Sequence, residues 1–405
     1  MTPAPATSIL AINAGSSSIK FALYRMADEP VLVFQGAISD IGTSRSCFQV
    51  SGGAGDCIER HFAIPEPVTA ASVLCEWLGE RVDGATLAGV AHRLVYSGPI
   101  AASIQLLDGK LIGALYECTG SEPDHLPQQL HLIEMLRLQF HASAHFACFD
   151  SGFHSTMPAA AATLPIPLRY RALGIRRYGF HGLACAWLVH QLAREAGAQA
   201  AAGKIVIAHL GGGASVTAVE HGCSRDTTMG VTPAGGIMMG KRSGDLDPGL
   251  AWHLARHAQV SQSAFHHMVN HESGLLGISG SSGDLRELLA RSQGDSRAAE
   301  AVDMFCYQVR KAVCSMAGAI DGMETLIFSG GVGNHAPQVR AQICANLSHL
   351  GVLLDPASNS AGAGLISSPS SAVSVRVMEA DEQSMMAQQV RAQLCAPSGT
   401  GGEPS

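Results

Sequence analysis

Chemistry first enters this chain as three glycine-rich turns, each after an apolar run: Asn13-Ala-Gly-Ser-Ser-Ser18, His209-Leu-Gly-Gly-Gly-Ala-Ser215 and Ser329-Gly-Gly-Val-Gly333. Glycine lets backbone N–H groups approach an anion, hydroxyls add donors, and a helix start after the third turn would add its dipole. Any one of them reads as a tight turn; three in one chain favour a cradle for a polyphosphate. The sequence holds no Walker A motif, no G-x-G-x-x-G and no H-R-D with D-F-G, which excludes the P-loop, dinucleotide-binding and protein-kinase routes.

Charged residues sit close to these turns. Lys20 follows the first, where it either reaches phosphate oxygens or is a solvated edge residue. Asp150 closes an apolar run before Ser-Gly-Phe-His, a position for a metal-handling or nucleophilic carboxylate and equally for a helix cap. Arg93 and Arg242, the latter in Met238-Met-Gly-Lys-Arg-Ser-Gly-Asp245, are forks for carboxylate or phosphate, or else structural ion pairs. Anion-cradling loops, a metal carboxylate and cations aimed at oxygens are what phosphoryl transfer requires.

The elements that must carry these residues are legible as strands alternating with helices. Residues 8–13 and 19–24 read as strand, turn, strand, and residues 204–210 and 214–220 repeat the design, suggesting two related halves. Further strands are expected at 87–95, 145–150, 325–329 and 372–379. Helices are expected at 128–139, 184–195, 248–258, 298–320, 337–347 and 381–394. The alternation calls for an α/β fold. The Gly/Pro/Ser-rich stretch 397–405 reads as a frayed tail.

Composition narrows the partners. The chain has 405 residues, enough for two or three domains, and a net charge of −7, which makes nucleic acid and anionic membrane poor partners. Only 15% of residues are charged, so part of the surface is expected to pair with another copy. The eleven Cys form no C-x-x-C pair and no zinc-spaced Cys/His cluster, favouring a reducing compartment. The scattered His131, His141, His145, His266 and His267 likewise lack metal spacing and read as surface or structural residues. With no basic leader before the first apolar run and no apolar run of about 20 residues, a soluble, cytoplasmic protein is expected.

Several ordered blocks resemble the acetate kinase family of acyl-phosphate-forming enzymes. They are Ile12-Asn-Ala-Gly-Ser-Ser-Ser-Ile-Lys20, His92-Arg93, Phe149-Asp-Ser-Gly-Phe-His-Ser-Thr-Met-Pro158, Arg176-Arg-Tyr-Gly-Phe-His-Gly182, His209-Leu-Gly-Gly-Gly-Ala-Ser215, Asp226-Thr-Thr-Met-Gly230, the segment from Met238 to Pro248, and Ser273-Gly-Leu-Leu-Gly-Ile-Ser-Gly280. The resemblance runs from about residue 8 to residue 394. It implies the fold of the sugar kinase, actin and heat-shock ATPase superfamily: two related ribonuclease H-like α/β lobes with a nucleotide cleft between them, in a homodimer. The N-terminal lobe would span 1–151 and be closed by segment 383–405, with an ATP-binding lobe at 152–382.

Carried over position by position, the resemblance makes Asn13 and Glu382 magnesium-site residues, with manganese able to substitute. Ser16, Ser18 and Lys20 would face the phosphates. His209, Leu210, Gly211, Gly212 and Gly213, then Asp284, Leu285 and Arg286, then Gly331, Val332, Gly333, Asn334 and His335 would form the ATP loops. Arg93 would hold the substrate carboxylate in a pocket with Val95, Asp124, His125, Phe180 and Pro233. Asp150, His181 and Arg242 would be catalytic. The implied reaction is reversible phosphorylation of a short carboxylate, acetate first, to an acyl phosphate and ADP.

The sequence departs from the family pattern at Leu183-Ala184-Cys185, at Gly212, at Asn334-His335 and at Tyr96-Ser97-Gly98. In Glu122-Pro-Asp-His-Leu-Pro127, Asp124 would set a carboxylate beside a carboxylate substrate. Two readings of Asp124 stand: it selects an acid bearing a hydroxyl or amino group, or it turns to solvent or a cation. The alternatives to acetate kinase are a kinase for propionate or a hydroxy acid, a catalytically weakened nucleotide-binding paralogue, and a sugar or polyol kinase.

Overall fold

The computed structural model describes residues 7–15, 17–52, 57–95, 102–120 and 126–396. The chain divides into two compact units, Met1–Gly152 with Asp381–Ser405, and Phe153–Ala380.

The first unit is built on an eight-stranded sheet. Its strands are β1 (Ser8–Ala14), β2 (Ile19–Arg25), β3 (Val31–Ser39), β4 (Cys47–Gly52), β5 (Cys57–His61), β6 (Leu87–Leu94), β7 (Ile104–Leu106) and β8 (Ala144–Phe149). They lie in the order β5-β4-β3-β2-β1-β6-β8-β7. β1 to β5 form an antiparallel meander, and β6 and β8 run parallel to β1. The apolar residues of β1 and β2, Leu10, Ile12, Phe21 and Leu23, face a core closed by helices Pro67–Gly79 and Leu126–Gln139. Trp77 anchors this core, its ring 5.5 Å from Phe21, 5.2 Å from Phe34 and 5.7 Å from Phe48. The last helix, Glu382–Cys395, returns to this sheet, burying Met386, Ala387 and Val390; Tyr24 OH and Ser384 Oγ lie 3.1 Å apart.

In the second unit β9 (Lys204–Leu210), β10 (Ala214–Glu220), β11 (Cys223–Thr227), β12 (Thr325–Ser329) and β13 (Ser374–Val377) lie in the order β11-β10-β9-β12-β13. β9 to β11 are antiparallel, and β12 and β13 run parallel to β9. This is the order and direction of β3-β2-β1-β6-β8, so the two hairpins read from the sequence do begin the same motif twice. Helix Ser296–Ala319 buries Ala298, Val302, Phe305, Val309, Val313 and Met316, a stripe at spacings of three and four. Asp295 caps it, accepting hydrogen bonds from the backbone N–H groups of Arg297 and Ala298.

All six expected helices are present, with ends shifted by a few residues. The expected strand 87–95 ends at Leu94, 145–150 at Phe149, and 372–379 narrows to Ser374–Val377. Strands β3 to β5 and helix Pro67–Gly79 were not expected. β5 is the sheet edge and only Ile58 on it is even partly buried, so it lacks the alternation that marks a strand.

His92 on β6 and His145 on β8 are buried together, their rings stacked at 5.2 Å. His145 Nε2 donates to the carbonyl of Phe140 at 3.2 Å, so its Nδ1 accepts from His92 Nε2 at 2.9 Å. Burial, then the neighbouring imidazole and Arg137, holds His92 well below the usual histidine range, and burial pushes His145 down to about 4 from 6.5. The folded chain therefore binds these protons less readily than the unfolded chain. Their contribution to stability is complete above about pH 6.5 and is lost as the pH falls toward about 4. Urea midpoints measured across that range will decline, and His145→Gln will flatten the decline by on the order of 3 kcal/mol.

Candidate active site

The parallel strands β1, β6 and β8 deliver their carboxyl ends to the same end of the first sheet, where α/β proteins place ligands. Asn13 lies at the end of β1, Arg93 at the end of β6, and Asp150 just after β8, with its backbone N–H donating to the Leu94 carbonyl at 2.9 Å. Glu382 opens the last helix beside them. Arg93 Nη2 donates to Asp150 Oδ2 at 2.8 Å and Nη1 to Asn13 Oδ1 at 3.0 Å; Asn13 Nδ2 donates to Glu382 Oε2 at 2.7 Å. Among the described residues the buried Arg93 Nε has no hydrogen-bond partner, and Glu382 Oε2 lies 3.7 Å from it. Burial alone would lower the guanidinium pKa, but Asp150 and then Glu382 raise it above the usual arginine value. The arginine stays charged and keeps one unsatisfied donor for an acceptor oxygen.

The second unit holds its own cluster. His181 sits at φ 60, in the left-handed region, immediately before helix Gly182–Ala196. Holding a histidine there costs about 1–3 kcal/mol and marks a side chain the fold places deliberately. Its Nδ1 lies 3.0 Å from Ser215 Oγ, and its ring centroid is 4.7 Å from that of His209. A Cβ on Gly213 would stand 3.2 Å from His181 Nε2 and 3.9 Å from Arg242 Nη1, so a larger residue there would press on the imidazole where it and the guanidinium converge. Gly211 N–H donates to the Gly213 carbonyl at 2.9 Å, and Gly240 N–H to that of Gly212 at 3.3 Å, fixing the turn after β9.

The segment after β12, which opens helix Gly330–His335, meets that turn. Gly330 has φ +77, and a Cβ there would be 2.5 Å from the Leu210 carbonyl oxygen, so the turns after β9 and β12 are in direct backbone contact. Leu285, Arg286, Gly331, Val332 and His335 line a cavity of about 310 Å³. Asp284 accepts from the backbone N–H of Arg286 and pairs with its guanidinium, which holds the carboxyl below its usual range.

The chain matches the acetokinase family over residues 8–388. It is 37% identical over 390 residues to an acetate kinase of Rhodopseudomonas palustris, an alignment covering 94% of this chain and 97% of that one. The chain belongs to the acetokinase family. An acetate kinase of Deinococcus deserti is 37% identical over 96% of this chain and 98% of its own. Among solved structures, the acetate kinase of Porphyromonas gingivalis superposes with TM-score 0.84 at 30% identity, covering 95% of this chain and 98% of that one. A propionate kinase of Francisella tularensis superposes with TM-score 0.86 at 31% identity and the same coverage. The two α/β units are thus the two-lobed fold of the acetokinases.

Within this acetokinase, Asn13, Arg93, Asp150 and Glu382 come together in one unit, and His181, His209, Gly213 and Arg242 in the other. Lys20 is exposed on β2, in register with Asn13, and the Ser18 carbonyl closes the first turn by accepting from Gly15 N–H at 2.8 Å. Phe180 is buried, as are Leu210, Leu285 and Gly333, so the two leucines can offer a ligand only their backbone. Val95 and Pro233 are half-buried, as are Gly211 and Asn334; Gly212 is exposed. Ser16, Asp124, His125 and the segments 96–101 and 397–405 lie outside the described residues.

Two supporting groups carry little sequence signal. Ser215, which orients His181, stands in the sequence as the end of a glycine turn. Arg340 is fully buried, with no carboxylate partner among the described residues; Nη1 donates to the carbonyls of Gly333 and Asn334 at 2.8 and 2.9 Å, Nε and Nη2 to Asn359 at 2.8 and 2.7 Å. It ties down the end of helix Gly330–His335. Its one sequence signal is an arginine on the apolar stripe of helix Pro337–Cys344, between Val339 and Ile343. Replacing it as Arg340→Gln strands buried carbonyls and is expected to cost about 3 kcal/mol or more, read as a fall in the urea midpoint.

Proposed function

We propose that this acetokinase transfers the γ-phosphoryl group of ATP to a short carboxylate, acetate first, giving an acyl phosphate and ADP, reversibly. The observation that carries the reading is the buried Arg93 Nε, a charged donor with no hydrogen-bond acceptor among the described residues, at the carboxyl end of a parallel sheet. A substrate carboxylate supplies that acceptor. Val95, Phe180, Pro233, Asp124 and His125 complete the pocket in this reading, and Asp124 keeps hydroxy-substituted acids among the substrates to be tried beside acetate and propionate.

A short acid has a pKa of roughly 4, so the nucleophile is ionised at neutral pH and no general base is needed. One P–O bond to the ADP leaving group breaks as one to the carboxylate oxygen forms. The difficulty is repulsion between two anions. Arg93 neutralises the acceptor; Arg242 and His181, held by Ser215, stabilise charge on the phosphoryl oxygens. Because no proton is removed from the acceptor, Asp150 acts by fixing Arg93 rather than as a base. The glycine turns at 209–213 and 331–335 hold the nucleotide through backbone N–H groups, with Ser18 and Lys20 toward its phosphates and Asp284–Arg286 toward adenosine.

Asn13, Asp150 and Glu382 are hard oxygen donors, and two carboxylates around one guanidinium leave a net negative charge, a set that fits Mg²⁺ or Mn²⁺. When bound, the ion would neutralise phosphate charge. We also place the protein in the cytoplasm as a homodimer. All eleven cysteines are free, which suits a reducing compartment, and among the described residues no helix is long and apolar enough to cross a membrane. Helix Gly249–His257 buries none of its residues and leaves Trp252 70% exposed, an apolar face a second copy would cover.

Hydroxamate trapping with ATP, Mg²⁺ and a panel of acetate, propionate, butyrate and hydroxy acids tests the activity. Acyl phosphate is expected from acetate, and its absence with every acid would sink the assignment. Arg242→Ala should lower kcat by about 10³-fold or more, whereas Arg93→Ala should also raise KM for the acid but not for ATP. For the dimer, sedimentation of Trp252→Glu should give monomers where the parent chain gives dimers.

A further inference from the structure

The edge hairpin of the first unit, far along its sheet from the carboxyl ends of β1, β6 and β8, carries a second constellation. On β4, Phe48 and Val50 are buried, so Cys47 and Gln49 project from the opposite face. On β5, Glu59 and His61 project from that same face: the antiparallel register sets His61 directly opposite Cys47 and Glu59 opposite Gln49. The Cys47 thiol, a Glu59 carboxylate oxygen and a His61 ring nitrogen all lie within 4.8 Å of one another, and His61 Nε2 is 2.8 Å from Glu59 Oε1. Among the described residues this is the one group of three such side chains with that convergence.

From this geometry we propose a divalent transition-metal site formed by Cys47, Glu59 and His61, selective for a thiophilic ion of the Zn²⁺ class. Thiolate, imidazole and carboxylate together are a borderline-soft set that suits Zn²⁺ and Co²⁺, while Mg²⁺ prefers oxygen alone. Ligand bonds of about 2.0–2.3 Å place tetrahedral neighbours about 3.5 Å apart. Glu59 and His61 are more than half exposed and turn freely, so they close the remaining gap without moving the backbone. Water takes the fourth position on the solvent side. Binding joins β4 to β5 and so pins the unpaired edge strand of the sheet. The ligand spacing of 47, 59 and 61 follows from hairpin register, not from a C-x-x-C or H-x-x-x-H repeat, which is why a search for zinc spacing passes over it.

Co²⁺ titration of the full-length reduced protein, followed by the thiolate-to-cobalt charge-transfer absorption, tests the site. That band requires a sulfur ligand, so ions held by Asn13, Asp150 and Glu382 do not produce it. One equivalent is expected to develop the band in the parent protein and in Cys57→Ser, whose thiol lies on the same strand. Cys47→Ser should abolish it, and Glu59→Gln and His61→Gln, both at exposed positions, should weaken binding by about tenfold or more. Each variant is compared in unfolding midpoint without metal, and Co²⁺ should raise the midpoint of the parent by more than that of Cys47→Ser. No band in the parent at saturating Co²⁺, a band that survives Cys47→Ser, or one that disappears in Cys57→Ser overturns the proposal.

Discussion

A buried guanidinium sets the terms for the first unit. Arg93 cannot be taken out of water unless its charge is met, and the fold meets it with Asp150, Asn13 and Glu382, drawn from two other strands and from the far end of the chain. That requirement explains why β1, β6 and β8 must be parallel neighbours and why helix Glu382–Cys395 must come home to the first sheet. Its packing through Met386, Ala387 and Val390 gives the hydrophobic energy that brings Glu382 to Asn13. One donor, Nε, is still left over. The arrangement holds a cation firmly while reserving part of it for a ligand.

The second unit meets the matching problem with backbone rather than side-chain charge. Its turns after β9 and β12 approach each other so closely that Gly330 tolerates no Cβ, and the space beside Gly213 is taken by His181 and Arg242. The short helix Gly330–His335 that follows β12 leaves its last carbonyls without helical partners. Arg340, itself held by Asn359, answers for the carbonyls of Gly333 and Asn334 from behind, and Ser215 holds the imidazole of a residue kept in the left-handed region. Strain at the front and a satisfied polar network at the back are the same device seen from two sides.

Legibility in the sequence followed how local each signal is. Hairpins such as residues 204–220 announce themselves because alternation and a glycine break are contiguous, and helix Ser296–Ala319 because its stripe repeats within one element. Strand β5 is hard to read because a strand at the sheet edge needs little apolar alternation. Arg340 is hard to read because a lone arginine on a short helix looks solvated until its neighbours are known to be carbonyls. Cys47 and His61 look unrelated until register sets them opposite each other.

By itself, the amino-acid sequence determined the α/β class, the doubled hairpin, the family and the residue types able to meet an anion, because propensity, periodicity and motif are properties of neighbouring residues. Only the tertiary structure decided which of those residues share a charge, which donor is left unsatisfied and which turns touch. Those facts depend on groups hundreds of residues apart, such as Asn13 and Glu382, being carried within hydrogen-bonding distance by the burial of apolar surfaces elsewhere.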